Sequence, residues 1–132
     1  MSKVKEEHIE YWVKLAEDDL DTAEYLMKGK KYLHALFWCH LLIEKICKAL
    51  WIKNNQENVP PKIHNLLRIL DLAEITYDGE QEDLLGLLNK FQLEGRYTTE
   101  VSKINTSLTE NFSEDLFSET KKIRIWLLQK LK

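Results

Sequence analysis

Between residues 6 and 28 apolar side chains recur every three or four positions, at Ile9, Trp12, Val13, Ala16, Leu20, Ala23 and Met27. Glu17, Asp18, Asp19, Asp21 and Glu24 take the other side. That spacing is the stripe of an amphipathic helix. The acidic run reads as its solvated face, because carboxylates that hold a metal converge from several elements rather than along one helix surface. Gly29 stands where a helix C-terminal glycine belongs. From Tyr32 to Lys53 the chain has no Gly or Pro and is apolar on more than one face, which predicts a central helix surrounded by other helices. Leu36, Cys39, Ile43, Ile46 and Leu50 form its main stripe, widened by Ala35, Leu42 and Ala49. The link between these two helices is short enough to make them antiparallel neighbours.

The prolines in Asn54–Pro61 interrupt the helical pattern and mark a loop. A shorter third helix is expected over 63–75, carrying Leu66, Leu67, Ile69, Leu70 and Leu72. Tyr77-Asp78-Gly79 is a turn signal. A fourth helix is expected over 80–94, with Leu84, Leu85, Leu87, Leu88 and Phe91 apolar; Gly95 ends it, or it runs on to Arg96 and Tyr97. Residues 98–111 are mostly Ser, Thr and Asn, broken by Val101, Ile104 and Leu108, and read as a long loop holding at most a helical turn. Ser113 followed by Glu114 and Asp115 predicts the start of a last helix over 114–131. Its Leu116, Phe117, Ile123, Trp126, Leu127 and Leu131 face inward. Trp12 and Trp126 are expected in the core, and Trp38 at its margin, where it could serve a subunit interface. No strand period appears. The expected class is all-α, an up-and-down bundle of four long helices and one short helix, with residues 1–132 as one domain.

Composition narrows the functional classes. Only 4 Gly and 2 Pro occur in 132 residues, with 44% hydrophobic and 31% charged side chains, a folded helical balance. The net charge of −3 provides no global field for nucleic acid or an anionic membrane, so an RNA contact would need a local basic patch. No apolar run approaches the roughly 20 residues that span a bilayer. The charged N-terminus lacks the apolar core of a signal peptide, so a cytoplasmic location is expected. Cys39 and Cys47 lie about 12 Å apart along one helix, too far to bridge, and read as reduced thiols.

Three constellations are candidates for chemistry. His40, Glu44 and Lys48 lie on successive turns of the central helix and share a face. They read either as a polar stripe binding phosphate through Lys48, with His40 moving a proton, or as an intrahelical Glu44–Lys48 pair beside a satisfied histidine. His64 opens the third helix, where it can bond exposed backbone or pack across the central helix. Arg96 and Tyr97 end the fourth helix: Arg suits bidentate phosphate contact and Tyr suits stacking on a base. The alternative pairs Arg96 with an acidic residue of the first helix and packs Tyr97 on the core. His40 and Glu44 have no third and fourth ligands at a telling spacing, so no metal is expected. No cofactor is expected either.

The order of these features resembles a known family. Ala16–Leu20 (Ala-Glu-Asp-Asp-Leu), Cys39-His40, Glu44-Lys45, Lys48-Ala49-Leu50, a Pro-containing loop, His64–Leu67 (His-Asn-Leu-Leu) and Arg96-Tyr97 follow one another as in the HEPN (higher eukaryotes and prokaryotes nucleotide-binding) domain. The resemblance covers nearly the whole chain. It implies a helical bundle that dimerises. It also implies a small nucleotidyltransferase as partner, in the manner of toxin–antitoxin modules, and a nucleotide or RNA as ligand. Many members are metal-independent ribonucleases whose signature is an Arg, then four to six intervening residues, the first of them polar, then a His. That signature is absent. Val101, Ser102 and Lys103 occupy the positions after Arg96, Ala73, Glu74 and Ile75 those after Arg68, and Gln129, Lys130 and Leu131 those after Arg124. The Pro that usually follows the Arg-Tyr pair is Thr98. Without a group titrating near neutrality, Arg supplies only phosphate stabilisation. The expectation is therefore a HEPN-like binding module with His40, Glu44, Lys48, Arg96 and Tyr97 as its contact residues. A ribonuclease toxin using a non-standard set drawn from Arg96, Tyr97, His40 and His64 is the enzymatic alternative. A helical scaffold with no nucleic-acid role is the third.

Overall fold

The computed structural model describes residues 1–132, which form six helices and no strand. These are α1 (Lys3–Lys28), α2 (Tyr32–Asn54), α3 (Leu66–Leu72), α4 (Gly79–Asn89), α5 (Thr98–Thr106) and α6 (Glu110–Gln129). The all-helical bundle expected from the periodicity is what forms. Helix α2 is its axis, with α1 packed along it and α6, α3 and α4 covering its other sides. Its side chains Leu36, Leu42, Ile43, Ile46, Leu50 and Ile52 are fully buried. Each contributes about 1.5–3 kcal/mol of apolar burial. The sparse polar residues on α2 follow from this position: a helix enclosed on several sides has little surface to give to water.

Lysines close the C-terminal ends of α2 and α6, the first from α1 and the second from α2 itself. Lys5 Nζ of α1 donates to the carbonyls of Ile52 (2.6 Å), Asn55 (2.7 Å) and Glu57 (3.3 Å). Lys53 Nζ donates to Lys130 O at 2.8 Å beyond α6. Asn54 Nδ2 donates to Ala73 O at 3.0 Å, which ties the same corner to the end of α3. A cation suits a helix C-terminus because its carbonyls point outward unpaired.

Several boundaries differ from those expected, each for a local reason. α1 starts at Lys3, where Ser2 Oγ accepts from Lys5 N–H at 3.1 Å. α3 starts only at Leu66, because Asn65 Oδ1 accepts from the amides of Leu67 and Arg68 and caps it there. α4 stops at Asn89, and Gly95 stands clear of it at φ 78°. The stretch expected to be a loop contains α5, with Val101, Ile104 and Leu108 packed against the core. The last helix begins at Glu110 rather than 114, because Thr109 Oγ1 accepts from Phe112 N–H at 3.1 Å. Ser113 therefore lies buried inside the helix instead of capping it. The bundle has three long and three short helices, not four and one. Trp12 and Trp126 are half-buried rather than central.

Gly29 ends α1 as its C-cap, where the sequence placed a C-terminal glycine. Lys31 N–H bonds Leu26 O at 2.8 Å and Lys30 N–H bonds Met27 O at 3.0 Å, the paired bonds of a Schellman motif. The left-handed residue is Lys30 at φ 58°, while Gly29 sits one position early at φ −83°. Lys30→Gly relieves about 1–2 kcal/mol of left-handed strain against the entropy glycine adds to the unfolded chain, for a net gain of roughly 0.5–1 kcal/mol. A Cβ at Gly29 meets nothing closer than 3.7 Å, so Gly29→Ala is tolerated. Urea denaturation should show Lys30→Gly more stable than the parent and Gly29→Ala no less stable.

Candidate functional site

Helix α2 is enclosed, yet it carries three polar groups in its middle. His40, Glu44 and Lys48 are 0%, 5% and 7% exposed. Burying two charges in a small bundle is costly unless each is paired and hydrogen-bonded. Glu44 meets that condition at both oxygens. Its Oε2 accepts from Lys48 Nζ at 3.0 Å and its Oε1 from His64 Nδ1 at 2.9 Å. Lys48 Nζ also lies 5.6 Å from the centre of the Trp12 ring, a cation–π contact that covers it with α1. A second pair, Lys45 with Asp19, joins the same two helices.

His40 locks the segment leading into α3. Its Nε2–H donates to His64 O at 2.9 Å, since a carbonyl can only accept. Its Nδ1 is then the bare nitrogen, without a hydrogen-bond partner and 3.9 Å from Glu44 Oε1. Burial lowers the His40 pKa below the ordinary histidine value, against the pull of Glu44 toward the charged form. His64 is thus held twice, by its carbonyl and by its ring, and half of its side chain stays exposed. Because a carboxylate accepts, Nδ1 is the donor to Glu44, and Nε2 is the ring nitrogen left for the cleft.

The exposed half of His64 faces a cleft of about 330 Å³ that no hydrophobic residue lines. Arg96 shares the cleft, together with Asn65, Asn89, Gln92, Glu94 and Gly95. Arg96 Nε donates to Gln92 O at 2.7 Å and Nη1 to Glu100 at 3.4 Å, leaving Nη2 with no intramolecular bond. Gln92 Nε2 is buried and unpartnered. Asn89 bolts the two walls together: its Oδ1 accepts from Leu66 N–H and its Nδ2 donates to Asn65 Oδ1, both at 3.0 Å. Tyr97 follows Arg96 and is 77% exposed.

The sequence candidates therefore separate into two sets. His64 and Arg96 come together at the cleft with Tyr97 beside it, whereas His40, Glu44 and Lys48 lie behind it in the core. Arg96 pairs within α5 instead of with the first helix, and Tyr97 does not pack on the core. His64 bonds across α2, not to the start of α3. Asn89 and Gln92 were not foreseeable, since a lone amide near a helix end carries no sequence signal. No group of three or more His, Cys, Asp or Glu side chains is placed to share a metal ion. Cys39 and Cys47 are free and buried, and burial pushes the Cys39 thiol up to about 12, so both stay protonated thiols near neutrality.

Two measurements test this network. Glu44→Gln leaves Lys48 buried without its counter-charge and should cost about 3–5 kcal/mol in urea denaturation. Replacing the pair together, Glu44→Leu with Lys48→Met, should recover most of that loss. His40, held neutral in the fold, takes up a proton on unfolding below about pH 6.5, so unfolding binds protons and stability falls as pH falls. Its contribution is complete above that pH. Going from about pH 7.5 to about pH 5.5 should destabilise the parent more than His40→Gln, which keeps a donor for His64 O but does not titrate.

Comparison with known proteins agrees with this architecture. No curated protein and no solved structure matches the chain. No helix is long and apolar enough to cross a membrane. The family model for the HEPN domain matches residues 9–131, from the first helix to the last, and the chain belongs to the HEPN domain family.

Proposed function

We propose that this HEPN chain is a binding module that holds the phosphate of a nucleotide or RNA in the cleft between His64 and Arg96. In this reading it acts as a homodimer beside a small nucleotidyltransferase partner. The observation that carries the ligand is that the Glu44-anchored His64 and Arg96, whose Nη2 makes no intramolecular bond, line one cleft without hydrophobic residues. A guanidinium and an imidazolium, the latter through Nε2–H, both donate to phosphate oxygens. Glu94 offers an acceptor for ribose hydroxyls, and Tyr97 offers a stacking face. Family membership supports the dimer and the nucleotidyltransferase partner.

The His64–Glu44 pair also favours a second reading, as a ribonuclease. A carboxylate-oriented imidazole is a competent general base or acid, and Arg96 could stabilise phosphorane charge. The family's own nuclease spacing is absent, which places binding first.

Titration calorimetry with uridine monophosphate should show saturable binding that Arg96→Ala weakens by about 10- to 100-fold, the range for a hydrogen bond to a charged group. His64→Ala should weaken it as well. No binding at millimolar nucleotide or RNA would defeat the ligand reading. A chain that stays monomeric at micromolar concentration and fails to retain a neighbouring nucleotidyltransferase would defeat the partner reading. RNA cleaved by the parent but left intact by His64→Ala would move the conclusion to the enzyme.

A further inference from the structure

We infer that the α1–α2 turn is a second phosphate subsite, so that the ligand of the cleft is a single-stranded polynucleotide rather than a free nucleotide. This rests on the reading of the His64–Arg96 cleft as a phosphate site. The chain is acidic overall, yet Lys28, Lys30 and Lys31 fall within one turn and His34 follows on the first turn of α2. All four side chains are exposed, and none of the three lysines makes an ion pair; Glu110, a carboxylate at the turn, accepts from the hydroxyl of Tyr32. The turn is flanked by two concavities. One, of about 300 Å³, contains Lys30, Lys31 and His34 against Asn105 of the α5 end. The other, of about 430 Å³, sets Lys28 and Lys31 beside Tyr25, which is 78% exposed.

Lysines interleaved with an exposed aromatic ring on a concave surface are the arrangement that tracks a single strand: the cations follow phosphates and the ring stacks on a base. An acidic polypeptide would use the cations but has no base for the tyrosine. The backbone adds a second observation. Lys30 keeps its charge in a left-handed conformation that glycine would adopt at lower cost, with a glycine next to it. Glu74 adopts the same conformation at the end of α3, so the strain alone does not mark a site; its position at the centre of the cationic cluster does.

Helix α5 connects the two places. Arg96 and Tyr97 stand at its N-terminus beside the cleft, and Asn105, at its other end, lines the basic turn. Its 9 residues span about 14 Å at 1.5 Å per residue, so one strand can touch both.

The test compares uridine monophosphate with an oligouridylate of about eight nucleotides, within the range of site sizes for single-strand binders. The oligomer should bind at least about tenfold tighter than the monophosphate, the gain expected when a second site is engaged on one ligand. The triple variant Lys28→Gln/Lys30→Gly/Lys31→Gln should lose that gain and about 2 units of salt slope, near 0.7 per phosphate contact. It should keep the fold and the monophosphate affinity. An oligomer that binds no tighter than the monophosphate, or a triple variant that binds the oligomer as the parent does, overturns the inference while leaving the cleft intact. Failure of both ligands to bind overturns the cleft reading itself. A polyglutamate peptide that binds the turn where the oligomer does not shows an acidic protein to be its ligand and overturns the inference as well.

Discussion

The carboxylate of Glu44 joins the interior of the bundle to its cleft. One oxygen holds Lys48 against Trp12 and thereby fastens α2 to α1. The other holds the ring of His64 and thereby fastens the segment before α3 to α2. A carboxylate this deeply buried persists only because both oxygens are used, and its two partners would be more weakly ordered without it. A hydrophobic side chain at the same position would hold the helices together at no electrostatic cost. It would not aim a histidine. That difference makes a buried ion pair in this helix a statement about the cleft as well as about stability.

The core and the cleft are coupled through the backbone too. His40 is fully buried and contributes no surface, yet its donation to His64 O fixes the main chain of the residue whose ring it does not touch. Asn89 fixes the opposite wall by bridging Leu66 and Asn65. The result is a polar cleft whose walls come from short, irregular segments but whose supports stand on helices. Sites supported in this way hold their geometry better than loop sites do. The cationic turn at the other end of α5 has no such support, and strand-like ligands, which need charge more than geometry, suit a surface of that kind.

Much of the helix order could be read from the chain, and the failures have a common cause. α1 was legible because it is long and strongly periodic, and α2 because it is a long apolar run without Gly or Pro. The stretch around α5 was not, because Ser, Thr and Asn are weak helix formers whose apolar partners, Val101, Ile104 and Leu108, find the core only in the folded bundle. Ser113 looks like a helix cap in sequence, but Thr109 took that role three residues before Phe112. Gly29 does end α1, but the sequence did not say which residue turns left-handed, and the hydrogen bonds to Leu26 and Met27 place Lys30 there. In each case several local solutions were chemically acceptable, and packing chose one.

The sequence by itself determined the all-helical class, the central place of Tyr32–Lys53, the polar face of His40, Glu44 and Lys48, and the family resemblance. Periodicity and ordered motifs are properties of the chain and survive without coordinates. Tertiary structure alone decided that this polar face points into the core, that His64 completes it from 20 residues away, and that His64 rather than His40 meets Arg96 at a cleft. Such pairings join residues distant in sequence, and no local spacing encodes which of two histidines will turn toward solvent.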